Sequence, residues 1–206
     1  MEIIALIFLF FMSIIIHEVS HGYTAYLLGD STAKNAGRLT LNPAKHIDIF
    51  YTVILPLVLF ISTQGRFAVG MAKPVPVNFS ALRYPRRDIP LVALAGPLAN
   101  FVISIVLALF WRYTQSTFIL YAIYFNLGIA FFNLLPIPPL DGSKVIAGIL
   151  PWNWMISFLK FERFGFLIIL VLYFSGVLMH IILPLIDICC AGLHVPGPYQ
   201  LFTFVR

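Results

Sequence analysis

Two histidines four residues apart bracket a glutamate in His17-Glu18-Val19-Ser20-His21. On an α-helix, residues i and i+4 share a face, so both imidazoles can reach one zinc ion. Glu18 projects beside them, where it can accept a proton from water. The run around the motif is otherwise apolar, and ionisable groups in such a run each cost about a few kcal/mol if left unpaired. A catalytic zinc site usually takes three protein ligands and keeps one position open. The strongest candidate for the third ligand is Asp141, which ends Asn133-Leu134-Leu135-Pro136-Ile137-Pro138-Pro139-Leu140-Asp141 and precedes Gly142. The prolines remove backbone donors and unwind a helix, and the glycine permits a tight turn. Asp141 equally suits a solvated position just past a helix end, and its type and placement leave both readings open. The rival to hydrolysis is a zinc-binding membrane protein without a reaction, such as a carrier or scaffold. Glu18 separates the two, because a structural zinc site needs no base beside its ligand. A transporter would also show paired inverted halves, and none is visible.

The elements that must hold these groups follow from composition. Of 206 residues, 61% are hydrophobic and 10% charged, with a mean hydropathy of +0.97. A soluble domain carries about 25% charged residues. The chain is therefore no soluble enzyme, disordered segment or ordinary nucleic-acid binder. Four apolar stretches are long enough to cross a bilayer, which takes roughly 20 residues. They run from about Ile3 to Leu28, Leu91 to Trp111, Phe118 to about Leu140, and Phe164 to Ile186. The first lacks a basic leader and a small-residue cleavage site, so it reads as a retained helix. Ile49 to Ile61 is shorter and contains Pro56, which fits a re-entrant or interfacial segment. Between Phe67 and Asn78, Pro74 and Pro76 alternate with Val75 and Val77, and the pattern predicts a short β-like element. Cys189 and Cys190 are adjacent and give no disulfide framework. The expected fold is an all-α polytopic membrane protein with about four transmembrane helices.

Charge then sets the direction of each crossing. If the short segment does not cross and the N-terminus lies outside, eleven basic residues face the cytoplasm: Lys34, Arg38, Lys45, Arg66, Lys73, Arg83, Arg86, Arg87, Lys144, Lys160 and Arg163. Arg112 and Arg206 stay outside. Making the short segment cross gives a less polarised split, so the positive-inside tendency favours four spans with both termini outside. His17, His21 and Asp141 can share a metal only if their spans run in the same direction. That needs an odd number of crossings between them, and the favoured arrangement has one.

An HExxH in an apolar helix followed far downstream by Asn133-Leu134-Leu135-Pro136…Asp141-Gly142 resembles the site-2 protease family of intramembrane zinc metalloproteases. The middle of the chain is similar to bacterial members at Gly37-Arg38-Leu39-Thr40-Leu41-Asn42-Pro43, Lys45-His46-Ile47-Asp48, Gly70 to Asn78 and Ala95-Gly96-Pro97-Leu98-Ala99-Asn100. The resemblance implies one zinc per chain held by His17, His21 and Asp141, with Glu18 as general base. It implies that Asn133 positions substrate or polarises its carbonyl, and that Lys73 has a substrate-facing role. Asn100 would touch substrate or hydrogen-bond between helices. The expected activity is cleavage of membrane-tethered proteins within or near their transmembrane segments, with the bilayer as the other partner and no nucleic acid involved. The zinc would lie towards the cytoplasmic side of a multi-pass cell-membrane protein. Residues 1–206 read as a single domain, with a catalytic core over about 3–150 and an additional C-terminal helix over about 164–186. Where family members often continue His-Ile-Asp-Pro-x-Gly, this chain has His46-Ile47-Asp48-Ile49-Phe50-Tyr51, so entry into the short segment differs. Within these 206 residues no PDZ-like or CBS-like domain is expected. His46 with Asp48 could hold a second metal, although a loop pair hydrogen-bonded to backbone is the simpler expectation.

Overall fold

A computed structural model describes residues 2–65, 70, 72–151, 154–155, 158 and 160–200, with the side chains of residues 2, 3 and 51 left aside. Long apolar runs free of early glycine become helices. α1 is Glu2–Leu27, followed by a one-turn α2 at Thr32–Asn35. The short segment is a π-helical turn, Ile49–Ile54, running into α3 at Leu55–Ser62. α4, Pro85–Thr114, starts on a proline, which needs no partner for a donor at that position. Asp88 in its first turns accepts the Tyr84 amide at 2.9 Å. Two residues, Gln115 and Ser116, connect α4 to α5 at Thr117–Asn133, and a link that short forces the two helices antiparallel. α6 is Asp141–Ile149, α7 Glu162–Phe174 and α8 Val177–Leu193.

α1, α4 and α5 pack on one another and form the frame of the site. Contacts along α1 give the directions. Phe10 meets Phe125, and Ser13 meets Asn126 further along both helices, so α1 and α5 run parallel. Ser13 meets Asn100 whereas His21 meets Val92, so α4 runs antiparallel to α1. This is the relation that a single crossing between the two ligand-bearing segments requires. A second apolar core joins α4, α5 and α8 through Ala108, Leu120, Ile123, Leu127, Leu178, Ile182 and Ile186.

Three expectations are corrected or narrowed. Among the described residues, two single helices, Ile4–Leu27 and Pro85–Thr114, are long and apolar enough to cross a membrane. The stretch expected to span from Phe118 to Leu140 stays helical for only 17 residues, because the prolines after Asn133 end it. The expected fourth span breaks between α7 and α8 with a 77° bend, and counts as a third crossing only if both helices are taken together. The β-like element forms no strand among the described residues. Phe67, Ala68, Val69 and Met71 lie outside that description, and from Ala72 to Asn78 the chain is irregular and unpaired with any strand. Pro74 and Pro76 have no amide to give a ladder. The remaining donors go elsewhere: Lys73 to the His46 carbonyl at 2.9 Å, Val75 to Glu18, and Asn78 to Asp30.

Asp30, fully enclosed just past α1, anchors this strap. Its carboxylate accepts the amides of Thr32 and Asn78, at 2.9 and 2.7 Å, and the Thr32 hydroxyl. Burial opposes ionisation of Asp30, but those three donors outweigh it and hold the carboxyl below its ordinary range. Such a group stabilises the fold above the unfolded-chain value of about 4 and loses that contribution as pH falls through the folded value. The stability advantage of the native protein over Asp30→Asn should therefore shrink as pH drops below about 4. Denaturant unfolding in detergent across a pH series reads this directly.

Candidate metal centre

His17 and His21 face α4 from the second half of α1, and both are buried. Asp141 reaches them from the start of α6, which the proline-rich link folds back against the end of α5. That fold-back needs Gly142: a Cβ there would lie 2.2 Å from the Leu134 carbonyl oxygen. His17 Nε2 lies 3.1 Å from Asp141 Oδ2 and 3.1 Å from His21 Nε2, and His21 Nε2 lies 3.0 Å from the same Oδ2. Among the described residues this is the one His/Cys/Asp/Glu group close enough to hold a metal ion.

Proton placement shows what the triangle needs. His17 Nδ1 lies 2.7 Å from Asn100 Oδ1, and His21 Nδ1 lies 2.7 Å from the Val92 carbonyl. Both partners accept, so each imidazole donates from Nδ1, and in its neutral form presents a bare lone pair at Nε2. With both rings neutral, two lone pairs and a carboxylate oxygen face one another with no proton between them. A cation satisfies that arrangement, and nitrogen plus carboxylate donors with spacings near a tetrahedral edge suit zinc. The other Asp141 oxygen is 3.2 Å from Lys144 Nζ, so each prospective ligand has its second atom tied down.

Room for an ion is built into α4. A Cβ on Gly96 would lie 2.5 Å from His21 Nε2 and 2.6 Å from His17 Nε2, in the space the ligand atoms surround. Val92, Gly96 and Asn100 recur every four residues, so one face of α4 supplies a carbonyl, a clearance and an amide beneath the histidines.

A cleft of about 570 Å³ opens over the triangle, lined by Phe10, Ile14, Glu18, Ile129, Phe132 and Asn133 together with the strap residues Pro74, Val75 and Val77. Glu18 Oε2 accepts the Val75 amide at 3.0 Å, which ties the carboxylate to the strap. Asn133 sits in the cleft wall and donates to the Ile129 carbonyl at 3.0 Å. Asn100 does not line the cleft. It is fully buried behind His17, so contact with substrate gives way to a contact between helices. Lys73 is also not among the cleft residues; its side chain is exposed and its carbonyl accepts from Arg38 at 2.7 Å. His46 is buried with Nε2 donating to the Thr40 carbonyl, and Asp48 accepts the Phe50 amide, so this pair serves its loop. Val92, Gly96, Asn126, Ser13 and Lys144 were not singled out for the site from sequence. A periodicity of four from Val92 to Asn100 was the available signal for the first two.

An HExxH helix crossed by a second helix, with a distant aspartate completing the triangle, defines a zinc metalloprotease of the membrane-embedded type. The comparisons agree. The chain belongs to peptidase family M50, the site-2 proteases. The family model, Peptidase family M50, matches residues 111–176, which include Asn133 and Asp141. The chain is 34% identical to YwhC of Bacillus subtilis, over 85% of this chain and 83% of that protein. It is 32% identical to Rip2 of Mycolicibacterium smegmatis, over 81% of this chain and 65% of that protein. The names of both class them, provisionally, as zinc metalloproteases. The zinc metalloprotease MJ0392 of Methanocaldococcus jannaschii is 26% identical over 89% of this chain and 46% of its own length. No solved structure matches.

Gly96→Ala places a methyl group where the three ligand atoms converge. Metal analysis of the purified variant should show zinc content collapsing, while far-ultraviolet circular dichroism keeps its helical signature.

Proposed function

We propose that the chain is an intramembrane endopeptidase that uses one zinc ion to hydrolyse peptide bonds within or near the transmembrane helices of membrane-tethered proteins. The observation that carries this reading is depth along the helix. His21 and His17 precede the end of α1 at Leu27 by six and ten residues, roughly 9 and 15 Å at 1.5 Å per residue. If α1 crosses the bilayer, the cleft therefore opens below the headgroups. Its apolar walls at Phe10, Ile14, Ile129 and Phe132 suit a hydrophobic peptide segment.

His17, His21 and Asp141 are assigned as the ligands. Bound there, zinc supplies Lewis acidity, polarising a carbonyl and lowering the pKa of water at its open position towards about 7. Glu18, already an acceptor for the Val75 amide, takes the proton from the attacking water and returns it to the leaving amine. Asn133, in the cleft wall, is assigned to orienting the substrate carbonyl. The strap over the mouth and the apolar walls limit bulk water around the reacting bond. The distribution of basic residues supports a multi-pass arrangement with the zinc towards the cytoplasmic side and both termini outside.

The test pairs metal content with turnover. Glu18→Gln should keep zinc and lose at least about a hundredfold in cleavage, the lower range for a general base. His21→Ala should lose both. Native protein in proteoliposomes should cut single-span membrane substrates and leave the same sequences untouched when they are presented as soluble peptides. Equal cleavage of the soluble peptides overturns the intramembrane reading.

A further inference from the structure

Behind His17 lies a polar chain enclosed by three helices. Ser13, Asn100 and Asn126 are 4%, 0% and 1% exposed, and none of them lines the cleft. Asn126 Nδ2 donates to the Ala122 carbonyl at 2.9 Å and to Ser13 Oγ at 3.0 Å. Ser13 Oγ in turn donates to the Leu9 carbonyl at 2.9 Å. Asn126 Oδ1 accepts from Asn100 Nδ2 at 2.8 Å, and the same nitrogen reaches the Ser13 carbonyl at 3.4 Å. Asn100 Oδ1 is left facing His17 Nδ1 at 2.7 Å.

The sense of this chain is forced from its far end. The Ala122 carbonyl can only accept, so Asn126 must turn its NH2 towards it and its oxygen towards Asn100. Asn100 must then offer its NH2 to Asn126 and its oxygen to His17. His17 consequently carries its proton on Nδ1 and leaves Nε2 bare. Were Asn100 reversed, its NH2 would face His17 Nδ1, and the proton would move to Nε2, where it blocks metal binding.

We infer that Asn126, acting through Asn100, is a positioning residue that selects the metal-binding tautomer of His17. Its influence on zinc rests on the ligand assignment made above; its influence on the tautomer does not. Ser13, one helical turn before His17 on the same helix, closes the loop and keeps the ring registered to α1. The whole device is buried, so water does not compete for its members. Partners that orient a metal-binding histidine typically contribute about 10–100-fold to metal affinity.

The test uses full-length protein in detergent with ¹⁵N-labelled histidine, stripped of metal, at about pH 8 where imidazole is neutral. His17 resonances are assigned by their loss in His17→Gln. Native protein should show His17 protonated on Nδ1, and finding the proton on Nε2 overturns the inference without any need for a variant. Asn126→Leu should populate the Nε2–H form and weaken zinc binding about tenfold or more in chelator competition. An unchanged tautomer in a folded Asn126→Leu protein also overturns it. If the tautomer shifts as expected but native protein takes up no zinc, the ligand assignment fails while the positioning role stands.

Discussion

When both imidazoles are neutral, three electron-pair donors held about 3 Å apart repel one another, and the rest of the molecule is arranged to keep them there. His17 Nε2, His21 Nε2 and Asp141 Oδ2 belong to two helices far apart in sequence. Each is prevented from relaxing by a bond at its other end: Asn100 on His17, Val92 on His21 and Lys144 on Asp141. In water such a cluster would protonate or rotate away. In a buried setting the cheapest remedy is a cation, which suits a metallopeptidase.

The helix between the two ligand segments determines most of this geometry. α4 runs against α1 and brings a carbonyl, a residue without a side chain and an amide to the metal level at one-turn intervals. Its tight link to α5 turns that helix parallel to α1, so both ligand-bearing segments arrive at the same end of the bundle. The prolines after Asn133 stop α5, and the compact fold-back at Gly142 then swings Asp141 across the opening. A helix continued to Leu140 would carry the carboxylate past the histidines.

Much of the site was legible in the sequence because its chemistry is local or costly. His17, Glu18 and His21 stand out since ionisable groups in an apolar run demand a use, and Asp141 stands out through its proline-broken approach. The distribution of arginine and lysine pointed to one crossing between the two segments, and the antiparallel packing of α4 on α1 agrees with that relative direction. Close helix packing at Gly96 and a bond between helices from Asn126 were readable, but their service to the metal centre was not, because a clearance and a buried amide acquire that meaning only when helices distant in sequence meet. The break between α7 and α8 escaped hydropathy, which registers apolarity and is blind to a bend. The strap was misread as a strand: the alternation of valine and proline was real, but its amides are claimed by Glu18 and Asp30 and by the His46 carbonyl.

His17 and Asp141 stand 124 positions apart. An ion gripping both closes a loop of more than half the polypeptide, much as a cross-link would, and restricts the ways in which the early and late helices can separate. Occupancy and cohesion of the bundle are then thermodynamically linked: whatever binds the assembled form raises its resistance to coming apart. A cell short of zinc would thus hold an enzyme that is both idle and more easily dismantled.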